Sequence, residues 1–198
     1  MITMKQWLIR ASVVMLAIAP APVLAATDAL APEVITLAPN RFLWNDNATL
    51  EPVSIVISIP DQKAYVYRGD LLIGASTVST GKDGKDTPIG IFPILQKSEK
   101  HKSNLYDDAP MPFMQRLTWD GVAIHAGMNP GFPASHGCIR VPTEFAKKLF
   151  AVTAKGTPVL VTDASAIEGW TPPTPYDALA MQAETASANA AALETASR

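Results

Sequence analysis

The chain has 198 residues, 48% of them apolar, with 16 basic against 18 acidic side chains and a formal charge of −2. That length and composition suffice for one domain with a real core, and the near-balanced charge gives no electrostatic footing for nucleic acid. A single cysteine, Cys138, excludes an intrachain disulfide framework.

Residues 1–25 read as a cleaved secretory signal. Lys5 and Arg10 form a positive flank, residues 11–19 a short apolar core, and Pro20 and Pro22 precede small residues ending at Ala25. The apolar run is too short to span a bilayer. Cleavage after Ala25 or Ala26 therefore leaves no transmembrane segment, and no cysteine follows that could carry a lipid. Loss of Lys5 and Arg10 leaves 14 basic against 18 acidic side chains, a charge of −4. In an oxidising compartment the lone thiol of Cys138 needs a purpose other than pairing within the chain.

Residues 26–50, with Pro32, Pro39 and Asn45-Asp46-Asn47, lack sustained periodicity and read as an N-terminal linker. The domain is expected over residues 51–165. Apolar residues at the odd positions of 53–59 predict a strand with one face buried. Residues 63–67 and 71–78 form a hairpin around Gly69-Asp70. The glycine- and lysine-rich run from Gly81 to Pro88 lacks the spacing of a phosphate loop and leads into β-like residues 89–94, so it reads as a solvated loop.

Residues 96–116 have no clear period. Their length and the apolar side chains of Tyr106, Met111, Phe113 and Met114 mark them as a candidate substrate lid, with plugging of the core by the last three as the alternative. Residues 117–119 and 122–124 flank Asp120-Gly121 as a hairpin, which places His125 at the end of a strand. A glycine- and proline-rich loop, 127–133, returns the chain to Ser135-His136-Gly137-Cys138-Ile139-Arg140. Thr143 is the expected N-cap of a helix reaching about Val152, with Phe145, Leu149 and Val152 on one face. Residues 159–161 form a closing strand, and 166–198 form a Pro/Ala-rich tail outside the domain.

The chemistry concentrates around Cys138. Only a few per cent of a free thiol is thiolate at neutral pH, and a neighbouring imidazole raises that fraction. His125 and His136 both lie close upstream. Such a pair supports acyl transfer, in which the thiolate attacks a carbonyl and a second nucleophile releases the thioester. Gly137 permits a close backbone turn, so the amides of His136, Gly137 and Cys138 are candidate oxyanion donors. Arg140 suits a substrate carboxylate or braces the loop. A zinc site from His125, His136 and Cys138 is disfavoured, since no H-E-x-x-H helix accompanies them and Gly137 serves an oxyanion hole better than a metal.

The run Ser135 to Arg140, preceded by His125 and by Thr87-Pro88-Ile89-Gly90-Ile91-Phe92, resembles the YkuD-type L,D-transpeptidase catalytic domain over about residues 53–162. The resemblance implies a mainly β protein, a YkuD-like β-sandwich with a short helix after the cysteine loop, and no cofactor or metal. It implies a periplasmic enzyme that acts on peptidoglycan stem peptides. Cys138 would be the nucleophile that releases D-alanine from the third stem residue. His125 would be the base, oriented through the carbonyl of the following residue. His136 would support the loop and oxyanion hole with Gly137, while Ser135 and Arg140 shape the site. The acyl acceptor would be another stem, a lipoprotein lysine or a free D-amino acid. Where that family often has glycine or serine after the upstream histidine, this chain has Ala126, with Gly127 one place later. An L,D-carboxypeptidase using water and a non-catalytic wall-binding scaffold with an inert thiol are the alternatives.

Overall fold

The computed structural model describes residues 36–47, 49–104 and 106–165, together with residues 34, 176, 179 and 180. The expected signal segment and most of the C-terminal tail lie outside the described residues. Ten strands and one helix are described. In chain order they are β1 (Phe42–Trp44), β2 (Val53–Ser58), β3 (Lys63–Arg68), β4 (Leu71–Thr77), β5 (Gly90–Pro93), β6 (Gln96–Ser98), β7 (Met114–Arg116), β8 (Ala123–Ala126), β9 (Ile139–Val141), α1 (Thr143–Val152) and β10 (Pro158–Thr162).

The strands form two sheets, a six-stranded one ordered β1-β4-β3-β2-β10-β5 and a four-stranded one ordered β6-β7-β8-β9. Gly69 and Asp70 turn β3 into β4, as expected, with Arg68 opposite Leu71. The closing strand does more than close: β10 runs parallel to β2 and antiparallel to β5, between the two.

Alternation along β2 sends Ile55 and Ile57 into the principal core, with Val66, Ile73, Val159 and Val161 from the same sheet. Ile124, Ala126, Ile139 and Val141 of the small sheet and Phe145, Ala146 and Leu149 of α1 complete that core. The expectation of one buried face is corrected, because every residue of β2 is buried. Val56, Tyr65, Tyr67, Leu72, Ala75 and Leu160 form a second core on the opposite face, covered by Val34, Leu37 and Leu43. The linker reading fails from Val34 onward for the same reason. Val34 is 1% exposed, and β1 pairs with β4 in the register Phe42 to Ser76. A three-residue strand is too short to show alternation, so β1 leaves no periodic signal in the sequence.

Helix α1 begins one residue earlier than expected. Pro142 occupies the N-cap and makes no side-chain cap bond, leaving Thr143 as the first helical residue. Phe145 meets Phe42 and Trp44 at ring-centroid distances of 5.8 and 5.7 Å, which ties the helix to the edge of the large sheet. At its other end Lys97 Nζ donates to the carbonyls of Phe150 and Thr153, where the helix dipole is negative.

Candidate active site

The small sheet builds the site by simple alternation. Strands β8 and β9 are parallel, with Ile124 opposite Ile139 and His125 opposite Arg140. Side chains one residue apart point to opposite faces, so Ile124, Ala126, Ile139 and Val141 enter the core. The other face carries Ala123, His125, Cys138 and Arg140. Residues 127–138 are the crossover that parallel pairing demands, and Cys138 sits at its end, immediately before β9. His125 is the penultimate residue of β8, at the end of a strand as expected.

That face opens into a pocket of about 540 Å³, lined by His125, Ser135, His136, Cys138 and Arg140. Of the four lid candidates, Tyr106 and Met111 line it. Met114 is fully buried in β7 and packs with Met111, Ala123 and the cysteine. Phe113 packs edge-on against Phe150, with centroids 5.9 Å apart. Phe113 and Met114 therefore anchor the segment to the core and do not cover the pocket. The segment is also better ordered than its lack of period suggests. Its two ends are β6 and β7, and backbone bonds from Ser103 to Ala109, Met111 to His101 and Phe113 to Glu99 zip its arms together. At its tip Tyr106 stacks on His136, rings 4.7 Å apart at 27°, across the pocket mouth.

His125 is 7% exposed, and its Nδ1 lies 2.8 Å from the carbonyl oxygen of Ala126. With Nδ1–H donating there, Nε2 carries the free lone pair. Burial, the dominant effect, lowers the imidazole pKa below its ordinary 6.5, and the charges of Arg140 and His101 act in the same direction against the Ala126 carbonyl. The thiol of Cys138 points to the carbonyl of Gly121 at 3.6 Å. Burial raises its pKa, opposed by the Ala123 amide and by Arg140 and Arg116. Both shifts favour a neutral thiol beside a neutral imidazole, and the apolar wall of Met111, Met114 and Ala123 works against the thiolate.

The cysteine loop is held from two sides. Gly137 has φ +113°, a region that a side chain would strain. Its amide donates to Ser135 Oγ at 3.1 Å, and Ser135 Oγ donates to the Cys138 carbonyl. The Gly137 amide is therefore already engaged, which leaves His136 and Cys138 as the candidate donors for an oxyanion. The buried hydroxyl of Thr87 accepts from the Gly81 amide and donates to the Gly137 carbonyl, both at 2.9 Å. The backbone amide of Lys82 donates to the Ser135 carbonyl at 3.1 Å. The solvated loop reading holds for residues 82–86, which are exposed, but the two ends clamp the cysteine turn. Thr87 was visible in sequence only as part of a motif, with no role attached. Its replacement by valine is expected to destabilise the fold by about 1–3 kcal/mol, since Gly81 N–H and Gly137 C=O lose their partner. Chemical denaturation reads the stability, and a parallel fall in labelling of Cys138 by a β-lactam reads the distortion of the turn.

Gly127 earns its place by close approach. A Cβ there would lie 3.3 Å from Arg140 Cγ and Cδ and 3.4 Å from His125 Cε1. Ala126, by contrast, turns its small side chain into the core and offers only its carbonyl to His125, so alanine is accommodated. Among the described residues, no group of three or more His, Cys, Asp or Glu side chains is placed to hold a metal ion.

This sandwich, with a histidine on β8 and a cysteine at the entrance to the parallel neighbour β9, is that of an L,D-transpeptidase catalytic domain. The sequence matches the YkuD family, described as the L,D-transpeptidase catalytic domain, over residues 52–161, and the chain belongs to that family. It is similar in structure to an L,D-transpeptidase from Mycobacterium smegmatis, with 24% identity, a TM-score of 0.53, and coverage of 56% of this chain and 58% of that one. An L,D-transpeptidase solved in complex with imipenem shares 25% identity, a TM-score of 0.52, and coverage of 57% and 59%. A cysteine-to-serine variant of the Enterococcus faecium L,D-transpeptidase shares 28% identity, a TM-score of 0.50, and coverage of 57% and 50%. The chain thus spans between half and three fifths of the length of these structures. No curated protein matches it.

Proposed function

We propose that the protein is an exported cysteine acyltransferase acting on peptidoglycan. Cys138 attacks the carbonyl of the third residue of a stem tetrapeptide, the L-centre of meso-diaminopimelate, while its proton passes to His125 Nε2. The S–C bond forms, the C–N bond to D-alanine breaks, and His125 returns the proton to the leaving amine. An amine then attacks the thioester and restores the thiol. The observation that carries this reading is that His125 on β8 and Cys138 at the entrance to β9 line one pocket, with the imidazole Nδ1 held by the Ala126 carbonyl.

The amides of His136 and Cys138 are assigned to the developing oxyanion. Arg140 lines the same pocket, and its guanidinium has no acidic partner among the described residues, so it is available for a substrate carboxylate. No described helix is long and apolar enough to cross a membrane. The pattern of residues 1–25 supports export to the periplasm.

A carbapenem, whose strained carbonyl imitates the reactive amide, tests the reading directly. Intact-mass measurement is expected to show addition of one molecule to the wild type and none to Cys138→Ala. An unmodified wild type would overturn the proposal. Incubation with purified muropeptides then names the acceptor: a dimer with a 3–3 crosslink for a stem amine, a tripeptide for water.

A further inference from the structure

A second cavity, of about 260 Å³, adjoins the first. Ser103, Met111, Asp120 and Gly121 line both. Beyond that shared wall its lining changes character. It holds His101, Asn104, Arg116 and the indole of Trp119, which is 76% exposed.

A large indole left in water at the tip of a tight hairpin contributes nothing to the core. The polar groups around it are equally unspent. The side chains of His101, Asn104 and Asp120 have no hydrogen-bond partner among the described residues, and Arg116 donates through Nε to Gln96 while its terminal nitrogens remain available. An open aromatic face beside convergent donors and acceptors matches a pyranose. Such a ring presents rows of C–H on one side and hydroxyl or acetamido groups around its rim. The cavity holds about one sugar ring.

We infer that this second cavity, with Trp119 as its platform, is a saccharide subsite that binds an N-acetylhexosamine of the glycan strand carrying the stem peptide. The inference rests on the reading of the first cavity as the peptide site. The reacting carbonyl belongs to the third stem residue, so three residues of extended chain, roughly 10 Å, separate it from the sugar. Two cavities that share a wall suit that reach. Asp120 and Gly121, at the turn between the sugar cavity and the thiol, then align the stem in the first cavity.

Two measurements separate the inference from the reading beneath it. In the full chain carrying Cys138→Ala, titration with the disaccharide of N-acetylglucosamine and N-acetylmuramic acid is expected to change tryptophan fluorescence saturably. Trp119→Ala in that background should abolish the change. This readout needs no turnover, so it stands or falls without regard to the transpeptidase reaction; a flat titration overturns the subsite. In the active protein, KM for a disaccharide-linked tetrapeptide is expected to lie about tenfold below that for the free tetrapeptide, a difference that Trp119→Ala removes while leaving the free tetrapeptide unaffected. Equal loss on both substrates would show instead a cavity for the acceptor amine at Asp120, and would also overturn the subsite.

Discussion

Replacement of His125 by alanine is expected to lower the rate of carbapenem acylation by a factor of about 10²–10⁴, the range for loss of a positioned general base. The expectation follows from where the protons sit. Burial against the apolar wall pushes the thiol pKa up, which favours the neutral form at rest. It cannot attack until a base removes its proton, and His125 is buried on the same sheet face with its Nδ1–H already committed to Ala126. Single-turnover loss of β-lactam absorbance checks the rate, and an unchanged melting temperature shows that the fold survives. His136→Ala should have a much smaller effect. That ring is exposed and stacked on Tyr106, so its loss opens the pocket mouth without removing the base. If acylation fell only in the His136 variant, the two histidines would have to exchange roles.

The second large effect is a separation of two pH profiles. Acylation assisted by His125 needs the imidazole unprotonated. Its pKa is lowered from 6.5, so the acid limb should lie below pH 6.5 and the rate should be flat between pH 7 and 9. Alkylation by iodoacetamide offers no carbonyl for an oxyanion hole and needs the thiolate itself. The thiol pKa is raised above its ordinary 9.0, so alkylation should rise about a hundredfold between pH 7 and 9, tenfold for each pH unit below the pKa. Parallel measurements on one preparation check both. Alkylation with a midpoint below 8.5 would indicate a resting thiolate and imidazolium, and would remove the case for base-assisted attack. A thiol that alkylates as described but never acylates would point to the inert scaffold.

Much of the site could be read from residue order. Cys138, His125 and Arg140 stood out because core packing gives no reason to gather two histidines, a glycine and an arginine near the one thiol. The sheet explains the gathering: positions 123 and 125 share a face, as do 138 and 140, and parallel register superposes the two pairs. Other features were beyond local pattern. The Gly137 amide is taken by Ser135 Oγ, a contact set by the turn's geometry and not by residue type. Thr87 lies fifty positions from Gly137 and joins it only in the fold. Met114 and Tyr106 belong to one irregular stretch, yet one is core and the other stands at the pocket mouth, a division that needs long-range contacts to see. Likewise, burial of both faces of β2 depends on Val34 and β1, far outside any window containing β2.

The position of β10 bears on how this molecule comes into being. It comes last in chain order among the described strands, yet it lies inside the large sheet, joined to β2 on one side and β5 on the other. Val159 and Val161 serve one core and Leu160 the other, so neither can close before residue 162 is free to enter the sheet. Its parallel partner β2 lies about a hundred residues earlier, a contact order that makes folding slow and late. Most of the described domain therefore stays without stable packing until its last strand is in place.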